Sequence, residues 1–231
     1  MTDHETRNAL HEGQGRAVTD ATDHLIDTLS RNVAPVRRMR PPLLRAGLWL
    51  ATVALVGGLI VARFANLHIV MVRARQPVFD VALVAALTTG CLAVIAAFYL
   101  SLPDRPLRWA LLPMPSFIVW WVASGAGCYS DWLEYRDGAW RIGESGDCFM
   151  FILGVGVPLS LALLLALRRA RPIAPRRVAV VGALGAAALA AFLLQFFHPF
   201  DLTLMDLLIH AVGVAVVVTL MASRPARNMI R

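Results

Sequence analysis

The chain has no lysine, no Cys-x-x-Cys pair, no obvious internal repeat, and long stretches without a single charge. Each absence removes a class of explanation. Without lysine, the formal net charge of +7 rests on arginine alone. Those arginines flank apolar runs, as membrane proteins place them, and do not make a nucleic-acid signature. Without closely spaced cysteines there is no tuned dithiol of the kind exchange enzymes use. No apolar run precedes Leu44, so no cleavable signal peptide is expected.

What is present is apolar. Of 231 residues, 58% are hydrophobic and 16% charged. Six runs, at 44–64, 78–100, 107–127, 149–167, 178–197 and 202–221, have about the length a helix needs to cross a bilayer. A soluble core does not require so many uncharged runs. The expected fold is all-α: a polytopic six-helix transmembrane bundle over 44–223, after a cytoplasmic N-terminal arm (1–43) and before a short tail (224–231).

Arginine sets the expected orientation. If the N-terminus is cytoplasmic, most arginines lie inside, including the dense block Arg168, Arg169, Arg171, Arg176 and Arg177. Arg63, Arg73, Arg75, Arg136 and Arg141 remain outside, and Arg73 and Arg75 run against the trend. Trp49 and Trp109 near inner ends, with Trp120 and Trp121 near an outer end, suit aromatic belts. An even number of spans returns the C-terminus inside. In the first outer connection, apolar Leu67–Val72 either extends the first helix with tilt or lies in the interface.

In the arm, Ala21, Leu25, Ile26, Leu29 and Val33 recur at helical spacing, predicting an amphipathic helix over about 20–33. Thr19 or Asp20 can cap its start, and Pro35 stops it. Asp20, Asp23 and Asp27 occupy another face. Carboxylates are repelled by an anionic inner leaflet, whereas nearby Arg37, Arg38, Arg40 and Arg45 suit headgroups at about 1 kcal/mol each. The pattern favours a helix that offers Leu25, Ile26, Leu29 and Val33 to a groove on a basic cytoplasmic protein, with the aspartates steering the encounter. Contact with the bilayer and packing at the membrane entry are the alternatives.

Cys128 and Cys148 flank the longest polar connection, expected outside. In an oxidising compartment they can pair, and closing such a loop stabilises by about 3 kcal/mol in the chain-entropy model. Two functional readings stand beside that structural one. One is a redox switch that changes how the third and fourth helices lie together. The other is capture of a soft metal ion by Cys128 and Cys148 with His198 from the neighbouring outer turn. Cys91, among apolar residues, reads as a small buried hydrophobe.

Ionisable groups at membrane depth are few. Asp206 and His210, at i and i+4, share a helix face and can hydrogen-bond. Such a pair is a functional hypothesis by default, yet a proton relay needs a string of groups that the inner half lacks. Structural pairing, sensing or metal binding, and catalysis are its possible roles, in falling order. Pro113, Pro115 and Pro158 should bend the third and fourth helices, and Gly182, Ala186 and Ala190 offer a face for close packing.

An ordered set of segments carries a resemblance. It begins with Leu25-Ile26-Asp27 and Leu29, then Ala34-Pro35-Val36 and Pro41 ahead of Arg45 and Trp49. It continues through Leu111-Leu112-Pro113, Gly127-Cys128, Cys148-Phe149, and Leu167-Arg168-Arg169 with Pro172 and Pro175. It closes with Phe197-His198-Pro199, Asp201, Met205 and His210. In this order the chain resembles the NrsF family from about Asp23 onward. The resemblance implies a six-span bacterial inner-membrane protein that negatively regulates an extracytoplasmic-function sigma factor. It also implies that outward-side cysteines, here Cys128 and Cys148, take part in sensing oxidative or heavy-metal stress. The chain departs in carrying His198 where some relatives have a cysteine.

The expected function is therefore a membrane-bound anti-sigma factor, not an enzyme. Its expected partners are the sigma factor and the lipid bilayer, with a soft metal ion on the outer side as a candidate ligand. No cofactor and no direct nucleic-acid contact are expected. The rival is a membrane thiol oxidoreductase using the Cys128–Cys148 pair, which the spacing of those cysteines disfavours. A transporter is weaker still, lacking repeats and unpaired charges along a path.

Overall fold

A computed structural model of the chain describes residues 18–31, 39–134, 142–197 and 204–228. At positions 69, 128, 130–134, 142–148, 204–207, 225 and 227 the description extends to the backbone alone. Every regular element among the described residues is helical. The chain divides into two units between Met39 and Arg40.

In the first unit, α1 covers residues 18–31. It is already helical at Val18, so Thr19 and Asp20 lie in a turn of the helix and not ahead of it. Thr22 and Thr28 donate to the carbonyls four residues back, at 2.7 and 2.8 Å. Arg31 pairs with Asp27 at 2.7 Å across one turn. The expected end at Val33–Pro35 lies outside the described residues.

In the second unit the order is α2 (Pro42–Phe64), α3 (Leu67–Arg73), α4 (Pro77–Leu100), α5 (Met114–Glu134), α6 (Ile142–Leu167), α7 (Pro175–Leu194), α8 (Leu204–Ala222) and α9 (Arg224–Asn228). Three of these helices, α2, α4 and α7, open on proline, where the missing N–H would have no partner anyway. Among the described residues, five segments are long and apolar enough to cross a membrane: Pro42–Phe64, Pro77–Leu100, Leu107–Gly127, Phe149–Ala170 and Pro175–Leu194. The sixth expected span overlaps α8, whose apolar described part, Leu208–Ala222, is shorter than a span.

The first connection is neither a longer α2 nor plain coil. Ala65 and Asn66 turn extended, and α3 forms separately. In the third span a 3-10 turn, Leu107–Leu111, gives way to α5 at Pro113, whose carbonyl accepts from the Phe117 N–H at 2.9 Å. The prolines here set a change of helix type. Pro158 lies inside α6, where it removes one ladder bond. After α6 a 3-10 turn over Arg168–Ala170 leads to Arg171, held left-handed at φ 43°, which reverses the chain toward α7.

Small residues place α7 at the centre, against α4, α6 and α8. Ala179, Ala186, Ala187 and Ala190 are wholly buried. A methyl group on Gly185 would meet the Val94 backbone nitrogen at 3.0 Å, and one on Gly90 would meet Leu189 Cγ at 2.7 Å. Close backbone approach of this kind is how membrane helices gain dispersion without a hydrophobic drive between them. Across α4 and α5, the buried hydroxyl of Thr89 lies 3.0 Å from Ser116 Oγ.

Candidate functional site

Three places carry the chemistry that the sequence singles out. The first is the apolar face of α1. Leu25, Ile26 and Leu29 are 57–60% exposed, joined by Val18. Asp20, Asp23 and Asp27 are exposed on the same helix, and Val33 lies outside the described residues. A short helix of this kind gains most of its stability from a partner for its apolar face.

The second is the pair of cysteines. The backbone is helical at both: Cys128 lies in α5, which runs on to Glu134, and Cys148 lies in α6, which starts at Ile142. The polar segment expected between the spans is therefore largely helix, and only residues 135–141 between the two helices lie outside the description. Hydropathy marks where a helix leaves lipid, not where it ends. The cysteine side chains, and hence any disulfide, lie outside the described residues, as does His198. Cys91 is a free thiol, half-buried on α4. Among the described residues, no three His, Cys, Asp or Glu side chains gather closely enough to hold a metal ion.

The third lies at the end of the bundle where α4 and α8 begin and α7 ends. His210 is buried on α8, one turn after Asp206, whose side chain lies outside the description. His210 lines a cavity of about 30 Å³ with Trp120, Trp121, Ser124 and Gln195, room for about one water molecule. Sequence reasoning missed what adjoins it. Arg73, from α3, is buried with its guanidinium 4.4 Å from the centre of the Phe79 ring. Its Nη2 donates to Gln195 Oε1 at 3.4 Å. The positive charge thus sits near the C-terminal, negative end of the α7 dipole. The one signal in the sequence was an arginine closing the apolar run Leu67–Val72.

The opposite end of the bundle is basic. Arg45 Nη2 donates to the Ala166 carbonyl near the end of α6 at 2.9 Å, and its guanidinium lies 5.1 Å from the Phe98 ring centre. Arg168, Arg169, Arg171, Arg176 and Arg177 are exposed around the α6–α7 turn. Tyr99 and Trp109 stack at 4.1 Å, with Arg105 over Tyr99.

Long apolar helices packed through glycine and alanine, with arginines at both ends, mark an α-helical membrane protein. The chain belongs to the NrsF family: the family model, described as negative regulator of sigma F, matches residues 29–227. Its role is accordingly that of an anti-sigma regulator. The match opens inside α1, so Leu29 and the membrane unit as far as Arg227 fall within it, while Leu25, Ile26 and the three aspartates precede it. No curated protein and no solved structure matches the chain.

Proposed function

We propose that the protein is a multi-pass anti-sigma factor of a bacterial inner membrane. It holds an extracytoplasmic-function sigma factor through α1 and releases it on a redox or metal signal received at Cys128 and Cys148. The observation that carries the reading is the uncovered apolar face of α1, Val18, Leu25, Ile26 and Leu29, beside the carboxylates of Asp20, Asp23 and Asp27. A protein that binds DNA carries basic surface, and an acidic helix with an uncovered apolar face complements a basic surface that bears an apolar groove. Val33 would extend the apolar face.

The topology in this reading is six spans with both termini cytoplasmic. The exposed arginines of the α6–α7 turn support it, since short arginine-rich connections stay inside. With that orientation, α5 and α6 carry Cys128 and Cys148 toward the outer side. A bond made or broken there shifts two helices that run back toward the cytoplasm. Coupling of roughly 1–3 kcal/mol gives about 5- to 150-fold release, enough for a switch. In this reading Asp206 and His210 fix the outer end of α8, and His198 adds a donor for a soft metal.

The test is affinity capture of the full chain from membranes when a sigma factor is co-expressed. Retention of the sigma factor with the wild type, and its loss on deleting residues 1–34, supports the arm assignment. Retention unchanged by that deletion defeats it.

A further inference from the structure

Helices α2 and α3 form a strap fastened near its two ends. Among the described side chains from Pro42 to Arg73, only Ala46 and Arg73 are buried. Ala46 sits in the core at the start of α2, one residue after Arg45, which donates to the Ala166 carbonyl. Arg73 closes α3. Between these points the strap packs thinly. In an 18-residue stretch of each helix, 6% of α2 is buried, against 56% of α4 and 72% of α7. A methyl group on Gly58 would find nothing within 4 Å, and a groove of about 500 Å³ runs between this part of α2 and the faces of α4 and α7.

In lipid, helices are held together by dispersion and polar contacts, since no hydrophobic drive acts between them. An element with so little buried contact is the one that opens first. At seven residues, α3 is also too short to keep its shape unaided. Its buried end is therefore decisive. The Arg73 guanidinium lies 4.4 Å from the Phe79 ring centre, and its Nη2 donates to Gln195 Oε1 at 3.4 Å. That bond is longer than the usual length of about 2.9–3.0 Å, and its acceptor is neutral. Such a fastening holds, and it can be undone.

Gln195 faces two ways. It accepts from Arg73, and it lines the small cavity with Trp121, Ser124 and His210. Cys128 follows Ser124 by one turn of α5. A shift of α5 at its cysteine therefore moves a wall of the cavity that Gln195 shares. At the strap's other end, residues 32–41 join α2 to α1.

We propose that Arg73 is a releasable latch, and that the α2–α3 strap relays the state of the cysteine end of the bundle to the arm. Latched on Gln195, α3 holds the far half of α2 in one place. When α5 moves and Gln195 turns away, the strap bends at Ala65–Asn66 and α2 swings about Ala46. The relay rests on the anti-sigma reading of α1, but the latch is measured without the partner.

Spin labels on Leu59→Cys in α2 and Val84→Cys in α4, both exposed, report the far half of the strap in the full-length protein. Leu48→Cys with Leu220→Cys, also exposed, reports the Ala46 end. Both pairs are built in a Cys91→Ser, Cys128→Ser, Cys148→Ser background and measured in nanodiscs by double electron–electron resonance. Each should give one narrow distance. Arg73→Ala should broaden the first distribution about twofold, because a strap freed at one end samples more positions, and should leave the second unchanged. Gln195→Leu, which keeps the arginine, should do the same. An unchanged first distribution in both variants would overturn the latch. Broadening of both pairs would also overturn it, as a general loosening of the bundle. With a sigma factor co-expressed, Arg73→Ala in the otherwise native chain should lower the membrane-held fraction about fivefold without oxidant or metal. A freed strap with retention equal to the wild type would overturn the relay. No retention by the wild type would remove the anti-sigma reading of α1, and the relay with it, while the distances still decide the latch.

Discussion

Phe79 and Phe98 stand at the two ends of α4, each under an arginine guanidinium: Arg73 at 4.4 Å from one ring centre and Arg45 at 5.1 Å from the other. Nineteen residues of α-helix separate the rings, about 28 Å of rise, which is close to the hydrocarbon thickness of a bilayer. Both arginines also reach the C-terminal end of another helix, Arg45 at Ala166 and Arg73 at Gln195. Cations favour that end of a helix dipole. The same device therefore closes the bundle at both faces, with α4 as the strut between.

Arg45→Leu should lower stability by about 2 kcal/mol, because a charge-assisted hydrogen bond to a helix-end carbonyl and a cation–π contact are lost together. Arg45→Lys should recover only part of that, since an ammonium lacks the flat fork that can bond a carbonyl while lying over a ring. Equilibrium unfolding in mixed micelles measures both. Equal stability of the leucine variant and the wild type would show that the clamp is ornamental.

Glycine substitutions should separate into two classes. Gly185→Ala should destabilise by about 1–3 kcal/mol, because its methyl meets the Val94 backbone at 3.0 Å and forces α4 and α7 apart. Gly154→Ala and Gly125→Ala place their methyls where nothing lies within 4 Å. In helix interiors these two should be neutral or stabilising by about 0.5–1 kcal/mol. Thermal unfolding of the three variants in one detergent tests the ranking.

The hydroxyl pair across α4 and α5 is a smaller term. A double-mutant cycle on Thr89→Val and Ser116→Ala should return a coupling of roughly 0.6 kcal/mol, the usual size for interhelical hydrogen bonds in membranes. Thr89 and Ser116 also reach the carbonyls of Ala85 and Pro113, at 2.7 and 3.0 Å. Each hydroxyl keeps an acceptor when the other is removed. A coupling several times larger would mean that the pair locks the helices instead of trimming their fit.

Much of the membrane unit was legible because lipid imposes a simple rule. Long uncharged runs gave the positions of α2, α4 and α7, and the small residues Gly182, Ala186 and Ala190 marked a face of α7 for close packing, though not its place at the centre. Helix ends were less legible. The continuation of α5 to Glu134 and the start of α6 at Ile142 involve polar residues that hydropathy assigns to water, although water does not forbid helix. The break at Ala65–Asn66 was equally hidden, since an apolar sequence on both sides reads as one segment. Arg73 was the instructive miss. Charge counting treats an arginine as a marker of sides, and its acceptor Gln195 lies 122 residues away in the chain. For the candidate site, helical spacing made the α1 apolar positions legible, but spacing alone says nothing of what covers them.

The three aspartates of α1 offer a test that separates steering from anchoring. If Asp20, Asp23 and Asp27 guide a basic sigma factor toward Leu25, Ile26 and Leu29, then Asn at all three positions should slow association and flatten its salt dependence. Dissociation should change little, because Coulomb attraction acts over a Debye length of about 10 Å, before apolar contact forms. Asp27 gives a finer reading. It already pairs with Arg31 at 2.7 Å, so its charge is partly answered within the helix. Asp20→Asn and Asp23→Asn should each slow association more than Asp27→Asn. Leu25→Asn with Leu29→Asn should do the opposite of the triple variant, leaving association near normal and speeding dissociation by more than tenfold, as expected when two anchors of about 1.5–3 kcal/mol each are removed. Surface plasmon resonance of the sigma factor over nanodisc-embedded protein, at two ionic strengths, reads all of these. An association rate indifferent to the aspartates and to salt would show that the acidic face has another purpose, even if the leucines bind.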